Sequence, residues 1–117
     1  MSIKRMGRIN EDVQRELATL IRSVKDPRVP AMTTITHVEV TNDLSYATVF
    51  VSALGQVDVK EVLKGLKSAS GYLRRALGNA LSLRHTPQLI FQWDQSMEQG
   101  AKIEKLLRNL DQPDNQD

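Results

Sequence analysis

Lys60, Lys64, Lys67, Gly71, Arg74 and Gly78 follow one another at steps of three or four residues. On a helix, those steps place all six on one narrow face, with Arg75 just beside it. Val59, Val62, Leu63, Leu66, Ala69, Leu73, Ala76, Leu77, Ala80 and Leu81 fall on the opposite side. The element therefore has an apolar seam for a core and a cationic ridge for a partner. Glycine removes the side chain from the ridge and lets a partner approach the backbone. A line of cations with bare backbone between them suits a phosphate chain better than a small substrate. The plainer reading is a solvated helix face. Against it, only Glu61 interrupts the cations of residues 60–85, so the usual pairing with acids four residues away is missing.

Other cations extend or flank this pattern. Arg84 and His85 follow the long element and can reach phosphate or simply sit at a helix C-terminus. Lys4, Arg5 and Arg8 either prolong an RNA surface or form a basic terminus. Arg28, two residues after Asp26, reads as an ion pair with it. His37 reads as a packed or surface histidine, since no second ligand stands at metal-binding spacing. Asp43 with Ser45, and Asp94 with Ser96, are explained by turn and helix-cap chemistry. Trp93 with Leu89 and Phe91 reads as a buried strand face. No paired carboxylates or histidine cluster is present for hydrolytic chemistry, so the chain reads as a non-enzyme without cofactor or metal.

The chain has 117 residues, enough for one domain with one core. Its net charge is only +2, yet the charge is polarised. Residues 1–28 carry +3, 29–59 carry −3, 60–85 carry +5 and 86–117 carry −3. Local field governs binding more than the total does. Cysteine is absent, which excludes a disulfide framework and thiolate metal sites and fits a reducing compartment. No apolar run reaches bilayer length and no secretory signal opens the chain, so a cytoplasmic location is expected. Aromatic content of 4% argues against a base-stacking platform of the RRM type.

The elements that must carry these residues are legible in turn. Ile9, Val13, Leu17, Leu20, Ile21 and Val24 repeat at helical spacing and predict a first helix over roughly 6–24. Pro27 and Pro30 then stop it. Residues 33–41 and 46–53 read as strands around an Asn42–Ser45 turn, antiparallel because the connection is short. Asp58 with Glu61 opens the long helical region 59–82 as a capping box. Residues 88–94 read as a third strand. Ser96 caps a last helix whose Ile103, Leu106, Leu107 and Leu110 share one face. Residues 1–110 form the expected domain, and 111–117 a polar, disordered tail. The fold class is α+β, a three-stranded sheet with helices packed on one face.

The order α-β-β-α-α-β matches a type II KH arrangement. Asp26–Val29, Asp43–Ala47, Ser68–Leu77, Leu81–Leu89 and Asp94–Ser96 stand in sequence within it. Together they closely resemble the bacterial ribosome-binding factor A family, over nearly all of residues 5–108. The GXXG loop of a standard KH domain is missing. Ala69-Ser70-Gly71 looks instead like the family's AxG element, so the resemblance implies a KH-like RNA-binding domain with a helix–kink–helix there. The apolar seam by itself runs in phase as for one unbroken helix, and Gly71 only makes a break cheap, by about 1 kcal/mol. The resemblance further implies a monomeric assembly factor. It would bind free or immature small ribosomal subunits and their rRNA, and assist late maturation and end processing, above all in the cold. Assembly GTPases would be further partners. Lys60, Lys64, Lys67, Ser70, Gly71, Arg74, Arg75, Arg84, Arg5 and Arg8 are the expected RNA-binding residues. The competing reading is a protein–protein interaction module that pairs a partner strand with an exposed sheet edge.

Overall fold

The computed structural model describes the backbone of residues 3–96 and the side chains of residues 7–96. The last helix expected from Ser96 to residue 110, and the polar tail 111–117, lie outside the described residues.

Helix α1 spans Ile3–Leu20 and tightens into a 3₁₀ turn over Ile21–Ser23. The helical spacing seen in the sequence is what buries Val13, Leu17 and Ile21 together. Val24 turns extended and ends the helix three residues before Pro27. Strand β1 (Thr34–Val40) pairs antiparallel with β2 (Tyr46–Ser52), placing Val38 against Val49 and Val40 against Ala47. The turn between them is an Asx turn. Asp43 Oδ1 accepts the Ser45 N–H at 3.0 Å and the Thr41 hydroxyl at 2.8 Å, and Leu44 adopts the left-handed conformation at φ 61.

Helix α2 spans Val59–Leu81. Its N-cap is Asp58, whose side chain accepts the Glu61 N–H at 3.3 Å. It stops where Ser82 turns left-handed and the Leu83 N–H bonds back to the Gly78 carbonyl at 3.1 Å. Strand β3 (Gln88–Trp93) then lies parallel to β2, giving the sheet order β1-β2-β3. Ala47, Val49 and Val51 of β2 are fully buried, while Tyr46, Thr48 and Phe50 look away from the core. Both helices thus cover one sheet face. The centre is made by Val13 and Leu17 of α1, Val38 of β1, Val49 and Val51 of β2, and Leu66, Leu73 and Leu77 of α2, each at most 1% exposed.

Two features depart from the sequence reading. The break implied at Ala69-Ser70-Gly71 is absent: α2 is one uninterrupted helix. Its buried residues Val62, Leu66, Leu73 and Leu77 keep a single phase through that point, so one seam packs on the sheet along the whole helix. Strand β1 also carries a bulge at Thr36, between Ile35 and His37. The Thr36 hydroxyl donates to the Asp94 carboxylate, and its carbonyl accepts from Gln14 of α1 at 3.3 Å. The bulge thereby ties together α1, β1 and the end of β3.

Candidate nucleic-acid interface

Lys60, Lys64, Lys67, Arg74 and Arg75 are all exposed along α2, and Arg84 and His85 are exposed on the turn into β3. The helix phase that buries the leucine seam forces this ridge outward. Among the described residues, the ridge has one acidic partner, Glu61, which stands 3.7 Å from Lys64 across two exposed side chains. Such a pair is worth little against solvent, so the ridge keeps nearly its full positive charge.

Gly71 lies open in the middle of this line: a Cβ there would meet nothing within 4 Å. Two hollows meet at Gly71 and Arg74. One, of about 650 Å³, is lined by Gly71, Arg74, Arg75, Arg84, His85 and Thr86. The other is lined by Lys67, Ser70, Gly71, Arg74, Gln88 and Leu89. Cations therefore surround bare backbone on both sides, which is the arrangement an anionic polymer needs for close approach.

Gly78 has a different role from the one its spacing implied. A Cβ there would run into the Thr86 hydroxyl, so this glycine serves close packing of the α2–β3 turn rather than access for a partner. Arg74 is also more than a free charge. Its Nε and Nη2 both donate to the Thr86 carbonyl, at 3.1 and 2.8 Å. This fork holds the turn that carries Arg84 and His85 against the ridge. No sequence signal pointed to Thr86, because its part is played by a backbone carbonyl.

The remaining candidates separate. Ser70 turns its hydroxyl back to the Lys67 carbonyl at 2.7 Å, which leaves it on the rim of the second hollow without an outward donor. Arg8 is exposed on α1, and no α1 residue lines the hollows that hold ridge cations, among the described residues. The Arg5 side chain lies outside the described residues. Arg28 is structural. Its Nε and Nη2 grip both oxygens of Asp26 at 2.9 and 2.7 Å, and Nη2 reaches Ser68 on α2 at 3.1 Å. The Arg28 side-chain bonds to Asp26, and then the Arg28 N–H on Asp26 Oδ1, lower the Asp26 pKa to about 2. His37 stands 3.2 Å from Glu39 and stacks on Phe50 with ring centroids 5.8 Å apart, a surface arrangement.

A family model for Ribosome-binding factor A matches residues 5–107. The chain belongs to that family. A ribosome-binding factor A of Clostridium novyi (strain NT) is 46% identical over 112 residues, covering 94% of this chain and 93% of the relative. That of Caldanaerobacter subterraneus is 44% identical, covering 97% and 94%. The crystal structure of ribosome-binding factor A from Thermus thermophilus matches with a TM-score of 0.68 at 28% identity, over 74% of this chain and 93% of that one. A Thermus thermophilus homology model fitted into a cryo-EM map of a 30S–RbfA complex matches with a TM-score of 0.63 at 28% identity, over 74% and 91%. The family membership agrees with the resemblance drawn from the sequence motifs. Among the described residues, no helix is long and apolar enough to cross a membrane.

Proposed function

We propose that this protein binds free or immature small ribosomal subunits by laying rRNA backbone along the α2 ridge. Lys60, Lys64, Lys67, Arg74, Arg75 and Arg84 supply the charge, and Gly71 lets the phosphate chain come close. Bound there, it assists late maturation of the subunit, including processing of the rRNA ends, and matters most in the cold. It acts in the cytoplasm as a monomer, alongside assembly GTPases, and carries out no catalysis itself. The observation that carries this reading is the exposed, nearly unpaired cation line meeting open backbone at Gly71. Membership of the ribosome-binding factor A family supports it, as does the 30S complex of the Thermus relative.

The test is cosedimentation with purified small subunits across a salt series. Neutralising about four or five phosphates gives a log–log salt slope of about −3 to −4. A slope near zero, or equal binding to large subunits, overturns the reading.

A further inference from the structure

Two turns stand side by side at one end of the sheet. The Gln88 N–H bonds the Ser45 carbonyl at 2.9 Å, which ties the start of β3 to the Asn42–Ser45 turn. The Arg74 fork on the Thr86 carbonyl fixes the turn that precedes β3. Between them lies a hollow of about 480 Å³, lined by Arg74 and by Asp43, Ser45, Tyr46, His85 and Gln88, all of them exposed. It adjoins the ridge hollow of about 650 Å³, with which it shares Arg74, His85 and Thr86. The two differ in charge. The lining of the ridge hollow holds Arg74, Arg75 and Arg84 and no acid, whereas in the second hollow Arg74 is opposed by Asp43. Asp43 stays ionised at neutral pH. The Ser45 N–H, and then the Thr41 hydroxyl, bond its Oδ1 and hold its pKa below the ordinary carboxylate value. A carboxylate accepts at about four lone-pair sites, and these bonds use two of them. The second hollow therefore repels a phosphate and calls for a group that donates hydrogen bonds.

On the reading that RNA lies along the ridge, we propose that a phosphate sits in the ridge hollow and its base turns into the second one, where Asp43 selects a base bearing an amino group. Adenine, cytosine and guanine each carry such a donor on the edge used for pairing. Uracil flanks its single N–H with two carbonyl oxygens, which a carboxylate repels. The rings of Tyr46, 46% exposed, and of His85 supply faces on which an unpaired base stacks. The base must be free of a pairing partner, so the RNA at this point is single-stranded. The ridge supplies attraction without regard to sequence, and the Asp43 hollow adds a preference among bases.

The probes are oligocytidine and oligouridine of equal length, titrated at neutral pH and low salt into the isotope-labelled full chain and followed by NMR and fluorescence anisotropy. Oligocytidine is expected to bind about three- to tenfold more tightly, and to shift residues 43–46 and 85–88 as well as the ridge. Asp43→Asn keeps an oxygen to accept the Ser45 N–H and the Thr41 hydroxyl, but puts an amide donor in place of Oδ2. It is expected to keep the melting temperature and to abolish or invert the preference. Lys67→Glu with Arg75→Glu is expected to weaken both oligomers alike and leave their ratio unchanged. Equal binding of the two, with shifts confined to the ridge, overturns the base preference and leaves RNA on the ridge standing. A cytidine preference that survives Asp43→Asn overturns the role of Asp43. Binding of neither oligomer overturns both the preference and the RNA reading beneath it.

Discussion

Two neighbouring arginines on α2 have separable roles. Arg74 spends two donors on the Thr86 carbonyl, whereas Arg75 makes no such bond among the described residues. Arg74→Ala should therefore lower stability by up to about 1 kcal/mol and also weaken subunit binding, because it frees the turn bearing Arg84 and His85. Arg75→Ala should weaken binding with the melting temperature unchanged. Thermal denaturation and cosedimentation of both variants check this; equal melting losses would remove the clamp. Asp26 gives a pH prediction. Its folded pKa, about 2, lies below the ordinary value of 3.8, chiefly because Arg28 hydrogen-bonds the charged form. A depressed carboxylate pKa stabilises the fold above about pH 4 and loses that contribution as pH falls toward 2. Acid titration followed by circular dichroism should show Asp26→Asn less stable at neutral pH, with the gap to the parent closing below about pH 3.

At the scale of elements, α2 carries both the core and the ridge, and its buried and exposed glycines predict opposite signs. Gly71 sits in regular helix with open space around it, so Gly71→Ala should stabilise by about 0.5–1 kcal/mol. Gly71→Val should keep the fold and weaken subunit binding, since a branched side chain blocks close approach to the backbone. Gly65 is buried against the 26–29 segment, where a Cβ would stand 2.7 Å from Val29 Cγ2 and 3.2 Å from Arg28 Cβ. Gly65→Ala should destabilise by about 1–3 kcal/mol by forcing that segment off the helix. Denaturant melts of the three variants decide the matter; a destabilised Gly71→Ala would restore a kink at that point. The sequence told the stripe of α2 correctly but not these differences, because spacing places glycines on a face without saying what stands opposite.

For the whole molecule, the distribution of charge outweighs its total. The net charge of +2 would attract RNA weakly, but residues 60–85 carry +5 on one exposed surface. Reversing two ridge cations, Lys67→Glu with Arg75→Glu, should lower subunit affinity at least about tenfold. Reversing two exposed cations elsewhere, Arg15→Glu with Arg22→Glu, makes the same change in net charge and should move affinity by no more than about twofold. Equal losses from both pairs, measured by cosedimentation at one salt concentration, would return the effect to bulk charge.

Over residues 3–96, the sequence by itself determined the element order, the α+β class, the antiparallel first hairpin and the ridge. Each of these follows from local periodicity, from short connections or from turn residues with a fixed backbone preference. The Asp43 turn, the Asp58 cap and the Asp26–Arg28 pair were legible for the same reason, since their partners lie within three residues. The tertiary structure alone decided what depends on distant parts of the chain. It made β3 parallel to β2, and it put Thr86 against Gly78 and Arg74. It inserted the bulge at Thr36, where α1 and Asp94 supply the partners that a regular ladder would have denied. It also kept α2 helical through Gly71, because sheet and α1 together bury Leu66 and Leu73 on either side of that glycine in one phase. A helix kinks or runs on according to what its seam packs against, and that surface is assembled from strands far away in sequence.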